Sequence, residues 1–162
     1  MITLDIPVTP HVKKFMTVLY GESYILNMND TLGKAIHVLL NKRINSNGLL
    51  KNTEDPTYPV KISYSKRKNE GFVIHKTNIY MISQFCDKYF REVIFLYTLI
   101  RSINSKDHNN IKKGIREALY VFDVSEEDIS LDTLYRDYMR KRMKPPYSNL
   151  YLSKFPDKKT AL

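Results

Sequence analysis

Between Leu131 and Lys144 the segment LDTLYRDYMRKRMK interleaves cations with apolar side chains at helical spacing. Leu131, Leu134, Tyr135, Tyr138 and Met139 or Arg142 recur at the i, i+3, i+4, i+7 positions that face a core. Thr133, Arg136, Asp137, Arg140, Lys141 and Lys144 fall on the other side, where a guanidinium can fork onto a base edge or phosphate and an ammonium can act as a point charge. A second cluster, Lys61, Lys66, Arg67, Lys68 and Lys76, sits among Tyr58, Tyr64 and Phe72. That mixture suits a strand or wing that follows a sugar-phosphate backbone and stacks on a base, although lysines on an edge hairpin also serve simply to block aggregation.

Catalytic chemistry is harder to assemble from these residue types. His11, His37, His75 and His108 lack the i, i+4 spacing that puts two ligands on one helical face, and Cys86 is the only cysteine, so neither a metal site nor a disulfide is expected. Tyr135 and Tyr138 beside Arg136 and Arg140 could suggest a strand-cleaving nucleophile, but the further Arg and His residues such chemistry requires are not legible, and both rings read as core contacts. Glu126, Glu127 and Asp128 could hold a divalent ion in a nuclease; a contiguous loop triplet is more simply the acidic start of a helix. Glycine-rich phosphate cradles and the GxSxG turn are absent from the sequence. The expectation is a non-enzymatic protein with no cofactor and no metal.

The elements around the basic segment carry a resemblance. IREALYVFDV and LDTLYRDYMRKRMK, joined by SEEDIS, resemble the helix-turn-helix of phage and mobile-element DNA-binding proteins, a likeness confined to residues 111–144. The likeness implies that the second helix enters the major groove, with Thr133, Arg136, Asp137 and Arg140 on the base side and Lys141, Arg142 and Lys144 on the backbone. SEEDIS departs from the family's tight glycine-containing turn, being longer and acidic.

Upstream elements follow from caps and periodicity. Thr9-Pro10 opens a helix through HVKKFMTVLY that Gly21 stops, with Val12, Phe15, Met16 and Leu19 inward. SYILNM reads as a short strand, and Asn29 or Asp30 caps TLGKAIHVLLNKRI, with Leu32, Ile36, Leu39 and Leu40 inward. NSNGLLKNTEDPTYP reads as a loop; VKISYSK and FVIHK alternate around RKNEG and predict a β-hairpin. From Thr77 to about Asn104 no Pro or Gly interrupts an apolar spacing that includes Ile82, Cys86, Phe90, Leu96 and Ile100, so a long central helix is expected. Ser130 is the expected N-cap of the last helix, and Pro145-Pro146 its terminator.

Composition bounds the rest. Against 17 Asp and Glu stand 26 Lys and Arg, a formal charge of +9, which attracts polyanions and releases their counterions. MITLDIPVTP lacks the n- and h-regions of a signal peptide, and the apolar run from Val93 to Ile100 is too short to cross a membrane. The single cysteine fits a reducing cytoplasm.

The expected fold class is α+β, predominantly α-helical: a two- to three-stranded antiparallel sheet with a β-hairpin, a long central helix and a C-terminal helix pair. Residues 1–144 are expected to form one compact domain and residues 145–162 a basic, aromatic tail. The expected function is that of a DNA-binding regulator or accessory factor, DNA being favoured over RNA, with no membrane partner; a homodimer or larger assembly is compatible with it. Two alternatives stand beside it: a structural or assembly protein of a phage or mobile element, and a small nuclease or strand-transfer enzyme.

Overall fold

A computed structural model describes residues 1–41, 56–64, 74–102 and 108–149. In chain order these form β1 (Ile2–Pro7), α1 (Pro10–Tyr20), β2 (Tyr24–Ile25), α2 (Thr31–Asn41), β3 (Thr57–Ile62), α3 (Lys76–Ser102), α4 (His108–Val121) and α5 (Leu131–Arg142). The expected α+β class with a helical majority is therefore observed. Two compact units divide the chain, Met1–Phe90 and Arg91–Leu162, the boundary falling within α3.

In the first unit the sheet is mixed, in the order β1-β3-β2, and this corrects the expected antiparallel hairpin. β3 pairs antiparallel with β1, Leu4 opposite Val60 and Ile6 opposite Tyr58, and parallel with β2, Tyr24 opposite Val60. Ile74 and His75 belong to no strand and Lys76 starts α3, so these residues do not pair with β3, while Phe72 and Val73 lie outside the described residues. The expected turn, with Gly71, lies outside them too. β1 pairs with β3 because its own alternation buries Leu4 and Ile6 beside Tyr58, Val60 and Ile62. β3 also extends into the segment expected to be loop, taking in Thr57, Tyr58 and Pro59.

Pro59 in the central strand is tolerated for a reason of register. Val8 N–H donates to Pro56 C=O, so residues 56, 58, 60 and 62 take the hydrogen-bonded places toward β1 and Pro59 takes an alternate one. Its nitrogen faces the other edge, where β2 pairs only with Val60 and Lys61.

The helices follow their caps closely. α1 begins at Pro10 as expected, but the Thr9 hydroxyl makes no capping bond and lies 3.0 Å from His11 Nε2. Gly21, at φ 80°, ends α1 by donating to Thr17 C=O, and its own carbonyl accepts the Tyr58 hydroxyl at 2.7 Å. Asp30 is the cap of α2, its Oδ1 accepting Gly33 N–H at 2.7 Å. Val12, Phe15, Met16, Leu32, Ile36 and Leu40 are buried as expected, whereas Leu19 is exposed and Leu39 half-buried.

In α3 the buried positions recur every fourth residue, at Asn78, Ile82, Cys86, Phe90, Ile94, Thr98 and Ser102. Three of these are polar, so apolar spacing alone misplaces the stripe: Leu96 and Ile100 face solvent instead. Their side-chain donors are engaged by backbone carbonyls. Thr98 Oγ1 donates to Ile94 C=O at 2.8 Å, Ser102 Oγ to Thr98 C=O at 2.7 Å, and Asn78 Nδ2 to Leu39 C=O.

In the second unit α4 ends in a Schellman turn. Val124 N–H reaches Leu119 C=O at 3.0 Å and Asp123 N–H reaches Tyr120 C=O at 3.2 Å, with Val124 and Leu119 both buried. Asp123 occupies the left-handed position at φ 53°, which glycine adopts without a Cβ penalty. Asp123→Gly is therefore expected to raise stability by about 0.5 kcal/mol after the added flexibility of the unfolded chain is offset, and Asp123→Val to lower it by roughly 1–2 kcal/mol. Urea melts followed by circular dichroism measure both, and a stabilised Val variant would contradict the account.

Candidate nucleic-acid interface

α5 is positioned by Leu131, Leu134 and Tyr138, which are buried within the second unit. Ser130 holds the N-cap place with extended backbone, but its hydroxyl makes no capping bond, which corrects the expected role. Its carbonyl accepts Thr133 and Leu134 N–H instead. Asp132 in the first turn and Arg140, Lys141 and Arg142 in the last complement the helix dipole at its two ends. The helix stops at Arg142, with Met143 as C-cap, before the two prolines are reached.

Tyr138 fixes the orientation of that face. Because the Ser102 hydroxyl gives its proton to Thr98, the Tyr138 hydroxyl is the donor in the 2.8 Å bond to Ser102 Oγ, and its ring packs 5.3 Å from that of Phe95. Its phenol is thus turned inward. Tyr135 is half-buried, with the Lys112 ammonium 5.4 Å from its ring centroid. Tyr138→Phe keeps the ring and removes one buried hydrogen bond, so a loss of about 0.5–1.5 kcal/mol is expected in a chemical melt. An unchanged midpoint would show that the Tyr138–Thr98 chain of bonds contributes nothing.

The structure separates the expected contact residues into two kinds. Thr133, Arg136, Arg140 and Lys144 are exposed; at about 100° per residue, positions 133, 136 and 140 fall within an arc of about 60° and form one ridge. Asp137, Lys141 and Arg142 are half-buried. Asp137 accepts from Arg91 Nη1 at 2.5 Å and from Arg140 Nη2 at 2.6 Å. Lys141 Nζ donates to Glu92 Oε2 at 2.7 Å and lies 5.4 Å from the Phe95 ring centroid.

Tyr147 closes the same corner, donating to Glu92 Oε1 and packing edge-on 4.7 Å from Phe95. Burial pushes the Glu92 carboxyl up, but its bonds from Lys141 and Tyr147 outweigh that and hold it below the usual carboxylate range. The Tyr147 phenol is raised, chiefly by the same bond to Glu92. Lys141 and Tyr147 thus act together in tying the segment after α5 to α3.

Of the second expected cluster, Lys61 is half-buried on β3, opposite Thr3 of β1 and Ile25 of β2, while Lys66, Arg67 and Lys68 lie outside the described residues. Sequence reasoning missed a basic-aromatic row on α4. Lys113, Arg116 and Tyr120 are exposed at i, i+3, i+7 spacing, Tyr120 at 87%. That i, i+3, i+7 spacing is legible in the sequence, on the outer side of the helix expected to support α5.

The acidic connector is largely occupied internally. Glu126 Oε1 pairs with Arg116 Nε at 3.0 Å, and Asp128 Oδ2 accepts the Ser125 N–H and hydroxyl at 2.8 and 2.9 Å. Glu127 stays exposed.

Elsewhere the chemistry is of other kinds. In the first unit α2 and α3 border an open groove of about 450 Å³, walled mainly by Ala35, Val38, Leu39, Met81 and Phe85, with Lys34, Gln84 and Lys88 also lining it, a surface that suits apolar groups. Burial first, then Asp87, pushes the Cys86 thiol up to about 12, so it is protonated and weakly nucleophilic at neutral pH. Among the described residues no three of His, Cys, Asp and Glu gather to hold a metal ion, and no helix is long and apolar enough to cross a membrane. No protein-family model, curated protein or solved structure matches this chain.

Proposed function

We propose that this chain binds duplex DNA as a regulator or accessory factor, with α5 as the contacting helix and α4 as its support. The exposed ridge of Thr133, Arg136 and Arg140, backed by the buried Leu131, Leu134 and Tyr138, carries this proposal. It offers two guanidiniums one helical turn apart on an element whose other face is fixed by packing, the arrangement a major-groove helix needs. The formal charge of +9 adds the long-range attraction, and the pairing of Glu126 with Arg116 offsets part of the connector's repulsion near α5.

Anisotropy of a labelled random duplex tests this. Binding is expected at low salt, with a log K against log salt slope of roughly −4 to −7, the signature of about five to eight phosphate contacts. Arg136→Ala and Arg140→Ala should each flatten the slope by about 0.9 if the side chain holds one phosphate. Lys34→Ala and Lys88→Ala, which remove exposed cations from the first unit, control for simple loss of charge. Equal weakening by those controls would reduce α5 to part of a diffuse field. Absence of binding at about 50 mM salt would leave a protein-interaction role in place of this one.

A further inference from the structure

Asp137 is an acidic residue beside a ridge proposed to meet a polyanion, and its contacts give it a task there. Both of its oxygens are engaged, Oδ2 by Arg91 Nη1 at 2.5 Å and Oδ1 by Arg140 Nη2 at 2.6 Å. Its side chain is 22% exposed and that of Arg91 28%, whereas Arg140 is 72% exposed. An isolated i, i+3 ion pair on a helix surface is weak because both side chains turn freely. Here the carboxylate is not free: Arg91 holds it from α3, and it in turn holds one nitrogen of Arg140. The other donors of that guanidinium remain on an exposed side chain.

A fixed planar fork differs from a free one in what it recognises. Much of the cost of binding through arginine is the ordering of a long side chain, and a guanidinium already held has lost part of that freedom. Phosphate oxygens accept from many directions, so a fixed fork gains little there. The O6 and N7 acceptors of guanine lie in one plane at one spacing and reward a fork held in place. Arg136, for which no acidic partner occurs among the described residues, has no such support.

We infer that Asp137 is a positioning residue that holds Arg140 toward a guanine edge in the major groove, with Arg136 left to phosphate. This rests on the DNA-binding reading above. The test selects bound duplexes from a randomised pool with the full chain, sequences them, and measures affinity for the unselected pool alongside.

A guanine-enriched position is expected. Arg140→Lys, which keeps the charge and loses the fork, should reduce that enrichment by about 10-fold or more while changing affinity for the unselected pool by less than about threefold, a bidentate pair being worth roughly 5- to 150-fold. Asp137→Asn should also weaken the guanine preference, yet leave pool affinity equal or higher because it removes a negative charge. Where the Asn variant fails to fold, Asp137→Glu displaces the carboxylate by one methylene and should show the same loss of preference. A guanine preference that survives Arg140→Lys or the Asp137 change overturns the inference, as does a retained pool with no preferred base. A chain that retains no duplex at low salt removes the DNA-binding reading together with it.

Discussion

Gly33→Ala is expected to destabilise the Met1–Phe90 unit by about 4 kcal/mol or more, enough to unfold it in a marginal protein. A β-carbon at Gly33 would stand 1.6 Å from the Asn27 carbonyl oxygen and 2.6 Å from both the Asn27 carbonyl carbon and the Tyr24 hydroxyl. The first two obstacles are backbone atoms, so no rotamer change relieves them. The backbone cannot retreat either, because the turn before α2 is held at several points. The Tyr24 hydroxyl lies 2.8 Å from both Asp30 carboxylate oxygens and accepts Asn27 N–H at 3.3 Å, while Asp30 Oδ1 accepts Gly33 N–H. Burial and the bond to Asp30 both raise the Tyr24 phenol, which stays protonated and donating at any ordinary pH.

Adding Tyr24→Phe to Gly33→Ala should not rescue the protein, since it removes the side-chain obstacle and leaves the carbonyl in place. Amide exchange of β1, β3 and α2 in the single and double variants measures this. Near-native protection in Gly33→Ala would mean that the turn is far softer than its bonds imply.

The second large effect lies in the same unit. Phe15→Ala is expected to cost about 3–5 kcal/mol, the range for removing a fully buried ring whose site closes only partly. Phe15 is 0% exposed, and its ring meets Phe90 at 5.4 Å and Tyr89 at 5.7 Å, both edge-on. These contacts pin α1 to the N-terminal half of α3, so the lost dispersion and edge-to-face attraction fall on a single seam. Phe15→Leu should lose markedly less because it refills part of the volume. The sequence has no tryptophan, so far-UV circular dichroism in urea, or tyrosine emission, is the readout. Equal losses for Ala and Leu would point to the ring edges, and not the filled volume, as the source of stability.

The connector between α4 and α5 shows how a feature that weakens a sequence reading changes once partners are known. SEEDIS reads as three acidic residues placed where phosphate would approach. Arg116 lies on the preceding helix, ten residues from Glu126, a distance at which spacing rules for helix neighbours have nothing to say. The same holds for Asp137, which by periodicity belongs with the outward side chains of α5. Its partner Arg91 is 46 residues away, and only the packing of α5 on α3 brings the two together.

Much of this protein was set by the sequence alone, wherever the controlling interaction is local. Thr9-Pro10, Gly21 and Asp30 mark helix ends because caps and breakers act within a few residues. The buried and exposed sides of α5 follow from the 3.6-residue repeat, so its ridge of Thr133, Arg136 and Arg140 was visible as a pattern. Tertiary structure decided what depends on distant partners. It made β1, about fifty residues earlier in the chain, the mate of β3, since strand pairing rewards a matched apolar face whatever the separation along the chain. It buried Asn78, Thr98 and Ser102 in a stripe that hydrophobicity would give to Leu96 and Ile100, because backbone carbonyls and a neighbouring hydroxyl engage side-chain groups that water engages elsewhere. And it divided the cations of the last helix into exposed Arg136 and Arg140 and occupied Lys141, because an ammonium is drawn to whichever carboxylate the fold brings within reach, and for Lys141 that is Glu92.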